Sequence, residues 1–290
     1  MTKSTILVTG ANGQLGKELQ EAAKNHPQYD FVFLSKNELS ISDKKEVFTI
    51  LQKYEPAFCI NCAAYTAVDK AESEKEMAFL INADGAGFLA AACKSFGAKF
   101  IHISTDYVFD GNSSTPLKES DLTDPINIYG ASKLKGEELA LKENDETIII
   151  RTSWVYSEFG NNFVKTMMRL MKERESINVV SDQIGSPTYA ADLASAIISI
   201  ISSGKFISGI YNYSNIGEIS WFDFAIAIKD FIDSKCKVNP IATSQYPTPA
   251  KRPHYSLLDK SKIVSVYSLH IVDWKESLAS CIEKIKKQGL

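Results

Sequence analysis

Five short apolar runs recur through the first half of the chain, each rich in β-branched or aromatic residues. They lie at residues 5–9, 31–34, 57–61, 99–104 and 147–151. Runs of this length and composition are typical of strands buried on both faces of a parallel sheet. Helical spacing of apolar positions separates them. This alternation of strands and helices predicts an α/β fold with a doubly wound parallel sheet.

After residue 151 the alternation becomes looser. Apolar spacing predicts helices at 162–173, 189–202, 221–234 and 274–287, with short strands at 177–180 and 209–213. In the first half, a single long helix is predicted over residues 73–96. We therefore expect residues 1–151 to form the sheet domain and residues 152–290 a smaller α/β part that is not strictly separate.

The composition narrows the class of protein. The chain has 290 residues and a formal net charge of −3, without the basic patch that binding to nucleic acid requires. No apolar run approaches the roughly 20 residues of a membrane helix. Five cysteines, an odd number, favour reduced thiols and a cytoplasmic protein. Cys59 and Cys62 fall on a predicted strand, where residues three apart face opposite sides, so neither a metal nor a disulfide is expected there.

A glycine-rich turn follows the first strand directly and opens a helix. Its spacing is G-x-x-G-x-x-G, and it comprises Gly10, Asn12, Gly13, Gln14, Leu15 and Gly16. Such a turn lets the backbone approach a pyrophosphate, and the helix N-terminus offers free N–H groups to it. The pattern predicts a Rossmann-type dinucleotide site in residues 1–151. Lys36, near the end of the second strand, suits a 2′-phosphate and favours NADP over NAD.

Tyr129 and Lys133 stand one helical turn apart, so both point the same way. A neighbouring ammonium group favours the phenolate and lowers the pKa of a tyrosine toward neutral, which suits general acid–base catalysis. Thr105 follows the fourth strand at the same sheet edge, where its hydroxyl can donate a hydrogen bond to a substrate oxygen. Arg252 lies in a loop stiffened by prolines, and its planar guanidinium suits a phosphate group.

These features together resemble the extended short-chain dehydrogenase/reductases. Longer runs resemble one family among them, the dTDP-4-dehydrorhamnose reductases, over almost the whole chain. The runs are Asn61–Glu72, Ser104–Gly111, Arg151–Tyr156 and Tyr246–Pro249. The resemblance implies reduction of the C4 keto group of a dTDP-sugar by NADPH, or by NADH. It also implies a route to a precursor of cell-surface polysaccharide, and it leaves a homodimer open.

The resemblance also assigns roles to residues. Tyr129 would donate the proton, Lys133 would tune Tyr129 and hold the nicotinamide ribose, and Thr105 would complete the donor set. Further cofactor contacts are implied at Ser40, Ile41, Cys62, Ala63, Ala64, Tyr65 and Thr66. Substrate contacts are implied at Val68, Thr105, Asp106, Tyr107, Trp154 and Arg252.

Two departures and two alternatives accompany the resemblance. Glu18 matches a carboxylate that holds Mg²⁺ in some members, but Ala191 stands where another acid is expected, so a metal is not predicted. Ser40 replaces an acid common in relatives, which leaves the choice of cofactor open. The alternatives are another nucleotide-sugar reductase or epimerase on the same fold, and a non-catalytic NADP-binding subunit resembling the regulatory subunit of methionine adenosyltransferase.

Overall fold

The computed structural model describes residues 3–289. The strands are β1 (Ser4–Thr9), β2 (Tyr29–Leu34), β3 (Phe58–Asn61), β4 (Lys99–Thr105), β5 (Thr147–Thr152), β6 (Val155–Tyr156), β7 (Ser176–Val180), β8 (Ile184–Gly185), β9 (Thr188–Tyr189), β10 (Gly209–Tyr213), β11 (Ile219–Ser220) and β12 (Lys237–Ile241). The helices are α1 (Gln14–Ala23), α2 (Lys44–Tyr54), α3 (Val68–Ala71), α4 (Lys75–Phe79), α5 (Gly85–Ser95), α6 (Ile128–Glu143), α7 (Phe163–Glu173), α8 (Ala190–Ser202), α9 (Trp221–Phe231), α10 (Ser261–Tyr267) and α11 (Trp274–Lys287).

A six-stranded parallel sheet forms the centre of the molecule, in the order β10-β5-β4-β3-β1-β2. From β1 the chain first adds β2 on one side and then returns to place β3 on the other. This reversal of strand order is where open α/β sheets bind ligands, at the carboxyl ends of the strands. The predicted doubly wound sheet is confirmed.

The sixth strand, β10, comes from the second half of the chain and pairs with β5. Helix α8 also returns to the sheet, where its apolar face joins the core beneath β1 and α1. The chain after residue 151 therefore contributes one strand and one helix to the large sheet and its core. The division into residues 1–151 and 152–290 stays a prediction about domain organisation.

The helix expected over residues 73–96 is not continuous. Helices α4 and α5 are joined by one π-helical turn, Leu80–Asp84. The widened turn carries Asn82, whose side chain accepts the N–H of Tyr65 at 2.8 Å and donates to the Tyr65 carbonyl at 3.0 Å. Such π turns are often found at functional sites. Here the turn fixes the backbone of a residue that the sequence assigns to the cofactor.

The helical run Lys75–Ser95 falls within the predicted range and is strongly apolar. By length and composition alone it could cross a membrane, but 56% of its apolar window is buried inside the fold. Its buried residues, which include Leu89, Ala90 and Cys93, pack into the core between the helices and the sheet. The run is therefore explained as a core helix.

The second part is built from three small strand pairs and the helices around them. Strand β11 pairs antiparallel with β8, while β12 with β7 and β6 with β9 run parallel. Phe224, Ile228 and Leu278 are fully buried in a separate apolar core of this part. The part covers one side of the carboxyl edge of the large sheet and supplies Trp154 and Trp221 to it.

Candidate active site

A cavity of about 930 Å³ opens at the carboxyl edge of the large sheet. Segments that follow β1, β2, β3 and β4 line it, as expected for a parallel sheet. The predicted site residues that line it are Gly10, Asn12, Gly13, Gln14, Leu15, Gly16, Ser40, Ile41, Cys62, Ala63, Ala64, Tyr65, Thr66, Val68, Thr105, Asp106, Tyr107, Tyr129, Lys133 and Trp154. Arg252 is the predicted site residue that does not line it.

The glycine turn forms a close backbone cradle. Gly10 has a φ of +69°, and a Cβ there would lie 2.6 Å from the backbone nitrogen of Ala63. A Cβ on Gly16 would lie 2.4 Å from the Gly10 carbonyl oxygen. Helix α1 then begins without a side-chain cap, which leaves its first N–H groups directed at the cavity. The residues present therefore fit the pyrophosphate of a dinucleotide.

Tyr129 and Lys133 are positioned by the start of α6. The Asn127 side chain caps the helix by accepting the N–H of Gly130 at 2.7 Å. A Cβ on Gly130 would lie 2.1 Å from the Tyr107 carbonyl oxygen, so only glycine lets the helix pack this closely on the turn after β4. The packing brings Tyr129 and Lys133 into the same cavity as Thr105, as predicted.

The expected lowering of the tyrosine pKa is wrong for this arrangement. Burial raises the pKa of Tyr129 to about 12, and the Thr105 hydroxyl opposes that shift only in part. The Lys133 ammonium does not offset it, because Nζ donates to the Ile103 carbonyl at 2.6 Å and lies 3.4 Å from His102 Nε2. Burial lowers the pKa of Lys133 to about 8. Tyr129 is thus a protonated phenol at neutral pH.

The role of Thr105 as a hydrogen-bond donor to the substrate stays a prediction. Its hydroxyl donates to Asp106 Oδ1 at 3.0 Å and accepts the N–H of Tyr107 at 3.3 Å. Burial raises the pKa of Asp106 to about 6. Asp106 Oδ2 is buried and has no hydrogen-bond partner among residues 3–289. The side chains of Ser256 and Thr105 lie close enough to the carboxyl group to oppose this rise in its pKa in part.

An aromatic pair forms the opposite wall. Trp154 and Trp221 stack with ring centroids 3.7 Å apart and planes within 13°. Trp154 has a backbone φ of +50°, a strained value for a bulky residue. Strain of this kind persists only where neighbours enforce it. Trp221 was not predicted as a site residue, since its position at the start of an amphipathic helix pointed only to the core.

Arg252 is engaged elsewhere. Its Nη1 and Nη2 donate to the two oxygens of Asp69, both at 2.8 Å, and Nη1 also donates to the Ala250 carbonyl. Asp69 additionally accepts the N–H of Ala250 at 3.1 Å, so it ties the proline-rich loop to α3. The planar fork that the sequence assigned to a phosphate holds a carboxylate in this structure. Phosphate binding by Arg252 stays a prediction.

The far end of the cavity is lined by Ser35, Lys36 and Asn37, just after β2. Lys36 is where the sequence placed a 2′-phosphate contact. Glu38 was not assigned a role from the sequence. Its carboxylate accepts hydrogen bonds from the backbone N–H of Ser35 at 2.8 Å and from the Ser35 hydroxyl at 2.7 Å. An anion from the chain itself therefore already occupies two donors of this loop.

Glu18, which the resemblance matched to a Mg²⁺-binding carboxylate, lies among buried side chains of the chain itself. Glu18 is buried, accepts the Ser157 hydroxyl at 2.7 Å, and its pKa is raised to about 8, mainly by burial. Ala191 belongs to the neighbouring α8. Within the described residues 3–289, no group of three or more His, Cys, Asp or Glu side chains forms a candidate metal site. The predicted lack of a metal stays a prediction.

Fold and site together define a class. A glycine turn after β1, a Thr after β4 and a Tyr-x-x-x-Lys pair at the start of α6 meet at one sheet edge, as in the extended short-chain dehydrogenase/reductases. Comparison with known proteins narrows this to one family. A family profile described as the RmlD substrate binding domain matches residues 4–287. This chain belongs to the dTDP-4-dehydrorhamnose reductase (RmlD) family, as its sequence motifs predicted.

Similar proteins span nearly the full chain. A dTDP-4-dehydrorhamnose reductase from Aggregatibacter actinomycetemcomitans is 44% identical over 94% of this chain and 96% of its own. The spore coat polysaccharide biosynthesis protein SpsK of Bacillus subtilis is 42% identical over 98% of both chains. The crystal structure of dTDP-4-dehydrorhamnose reductase from Bacillus anthracis in complex with NADP has a TM-score of 0.94. It is 44% identical and covers 98% of this chain and all of that one.

Proposed function

We infer that this chain reduces the C4 keto group of dTDP-4-dehydro-β-L-rhamnose, giving dTDP-L-rhamnose for cell-surface polysaccharide. The observation that carries this function is the meeting of Tyr129, Lys133 and Thr105 with the glycine turn in one cavity. Membership of the reductase family supports the same substrate. A reduced nicotinamide cofactor, when bound, supplies the hydride that reaches the carbonyl carbon.

The residues of the chain supply the proton and stabilise charge. Because burial raises its pKa, Tyr129 keeps its proton at neutral pH until negative charge develops on the sugar oxygen. It then gives up that proton, so the carbonyl gains one hydride and one proton and becomes an alcohol. Lys133 would stabilise the developing charge, and so would Thr105 once its hydroxyl turns from Asp106 to the sugar oxygen. Lys133 would also hold the nicotinamide ribose.

The sugar nucleotide would lie between Asp106 and the aromatic wall. Asp106 lines the cavity, and the Trp154 ring that also lines it would offer an apolar surface to a deoxysugar ring. Val68 and Tyr107 line the space between these two walls. We assign these four residues to substrate binding.

NADPH is our preferred cofactor, with NADH as an accepted substitute. Lys36 lines the end of the cavity where a 2′-phosphate would lie, which favours NADPH. The Glu38 carboxylate beside it opposes a second anion, which leaves room for NADH. The relative from Bacillus anthracis, solved with NADP, supports the first choice.

We also propose a cytoplasmic location and leave a homodimer open. All five cysteines are free in the described part of the chain, which suits a reducing compartment. The oligomeric state is tested by light scattering on the purified protein.

Turnover with defined sugar nucleotides tests the proposed function. We expect loss of nicotinamide absorbance with dTDP-4-dehydro-L-rhamnose and NADPH, and turnover slower by about tenfold or more with other keto sugars. A dehydratase or epimerase would instead act without net oxidation of NADPH. Dehydratases use a second acidic residue directly after the first, and in this chain Tyr107 follows Asp106 at that position. A regulatory subunit would bind NADPH without turnover. Either result would overturn the proposal.

A further inference from the structure

A row of buried polar side chains crosses the large sheet beneath the cavity. Thr9 on β1, Asn61 on β3 and His102 on β4 stand in register with one another. Each is only 1% exposed. Buried polar groups are costly unless they are hydrogen-bonded, so an apolar row would be the simpler way to build a core here.

The row ends at the proposed catalytic lysine. Thr9 Oγ1 donates to Asn61 Oδ1 at 2.6 Å, and Asn61 Nδ2 lies 2.9 Å from His102 Nδ1. On the other side of the ring, His102 Nε2 lies 3.4 Å from Lys133 Nζ. The row therefore connects the strand before the glycine turn to the amine at the floor of the cavity.

The hydrogen bonds of Asn61 fix the proton on the histidine ring. Asn61 Oδ1 accepts the Thr9 hydroxyl and also the N–H of Ala63 at 3.2 Å, so the amide nitrogen faces His102. Because that nitrogen donates, His102 Nδ1 must accept. Burial and the Lys133 charge lower the pKa of His102 well below its usual value, so the ring is neutral. A neutral ring that accepts at Nδ1 carries its proton on Nε2.

The Nε2–H therefore faces Lys133 Nζ. A neutral amine can accept this hydrogen bond with its lone pair and still donate to the Ile103 carbonyl. An ammonium group has no lone pair and meets the positive end of the N–H dipole. The imidazole tautomer thus favours the neutral amine, in the same direction as burial.

Other charged groups around Lys133 act in the opposite direction. Glu137 on α6 favours the ammonium form, whereas burial raises the pKa of the Cys62 thiol after β3 and keeps it uncharged. The influence of Glu137 is limited, because its carboxylate is held by Arg151 on β5 at 2.7 Å and by the Ser104 hydroxyl. Tyr129 on the same helix is an uncharged phenol. Among these neighbours, His102 is the group whose effect depends on a single proton position.

We propose that Asn61 and His102 are positioning residues for the reduction, in which Asn61 fixes the imidazole tautomer and the resulting Nε2–H controls the protonation of the Lys133 amine. The inference rests on the proposed catalytic role of Lys133. It assigns a function to two buried residues that do not line the cavity.

The tautomer is measured directly by ¹⁵N chemical shifts of the histidine rings. The chain has four histidines, which keeps the spectrum simple. We expect one ring, absent from the His102→Asn variant, that carries its proton on Nε2 and does not titrate between pH 5 and 8. A proton on Nδ1, or a ring that titrates in this range, would overturn the proposal whatever the activity of the variants.

The pH profile of kcat/KM tests the effect on Lys133. Activity should fall as pH rises through the pKa of Lys133, about 8 in the unmodified chain. Asn61→Asp keeps both bonds to Oδ1, but its second carboxylate oxygen accepts a hydrogen bond from Nδ1–H, so Nε2 presents a lone pair to the amine. His102→Asn retains a polar partner for Asn61 and removes the Nε2–H. In both variants the fall in kcat/KM should occur at a pH higher by about one unit.

The two variants distinguish an effect of the His102 tautomer on Lys133 from an effect of added charge. The carboxylate introduced by Asn61→Asp would attract an ammonium group with either tautomer, whereas His102→Asn adds no charge. An upward shift in Asn61→Asp alone would therefore overturn the proposal. Lys133→Met reports on the proposed function itself: loss of turnover supports it, and retained turnover would refute the role of Lys133 without changing the ¹⁵N result.

Discussion

The two walls of the cavity are held in place by different means. On the sheet side, Gly10 is set by backbone contacts and Lys133 by buried hydrogen bonds, with 2% of Lys133 exposed. The opposite wall contains Trp154, which depends on one stacking partner, and outside the cavity lining Arg252 and Asp69 keep 23% and 41% of their side chains exposed. The sheet side is preorganised for the chemistry of the reduction. The opposite side has contacts that can change with the substrate.

Tyr129→Phe should have the largest effect, because it removes the proton donor from the rigid side. Loss of general acid catalysis lowers kcat by ~10²–10⁴-fold, while the cofactor cradle is untouched. Steady-state kinetics and a fluorescence titration with NADPH measure the two quantities. Tyr246→Phe is the matched control, since Tyr246 is 60% exposed and outside the cavity. Unchanged kcat in Tyr129→Phe would remove the catalytic assignment.

Arg252→Ala tests whether the exposed side takes part in binding. If the guanidinium leaves Asp69 for the substrate diphosphate, KM for the sugar nucleotide should rise roughly ten- to a hundredfold, as expected for the loss of ~1.5–3 kcal/mol. Arg252→Lys should also raise KM, because an ammonium lacks the planar fork, but by less than Arg252→Ala, because the charge is kept.

Asp69→Asn is the control for that experiment. It weakens the ion pair and keeps the guanidinium, so KM should stay within about threefold. Equal increases in KM for Arg252→Ala and Asp69→Asn would instead show that the pair only anchors the proline-rich loop, and the diphosphate site would lie elsewhere.

The difference between the walls also explains what could be predicted from sequence. The strands β1 to β5 were predicted because each is a local apolar run, and the glycine turn because its spacing is local. The run at Gly209–Tyr213 was predicted as a strand, but its pairing with β5 was not, since apolar spacing does not specify a partner. The two-residue strands β6, β8, β9 and β11 are too short to produce a pattern.

Within the site, residues that act through distant partners were missed. His102 lies in an apolar strand and gives no local signal; only the register of β3 and β4 places it beside Asn61. The pairing of Arg252 with Asp69 joins positions 183 apart in the chain. The raised pKa of Tyr129 was missed for a similar reason: helical spacing shows which face Lys133 shares, but not that its amine is bound to Ile103.

Trp221→Ala should have a smaller effect, confined to the adjustable wall. Without the stacking partner, Trp154 can relax from its strained φ, and the sugar loses a fixed platform. A stacking contribution of ~0.5–1.5 kcal/mol corresponds to a rise in KM of roughly two- to tenfold, with kcat little changed. Trp221→Phe keeps an aromatic face and should recover most of the affinity. A fall in kcat alone would place the pair in the chemistry instead.

Glu38→Gln should have the smallest effect and concerns the far end of the sheet side. The Glu38 carboxylate holds the Ser35 N–H and hydroxyl beside Lys36, where a 2′-phosphate would bring further negative charge. Removing one exposed charge should raise the ratio of kcat/KM for NADPH over NADH by roughly two- to fivefold. The gain should shrink at high salt, because exposed charges are screened.

Lys36→Ala should shift the ratio of kcat/KM for NADPH over NADH the other way. Glu21→Gln, an exposed position on α1, is the matched control and should leave it unchanged. If Glu38→Gln favours NADH, the carboxylate binds the ribose hydroxyl, and the loop after β2 is an NAD site.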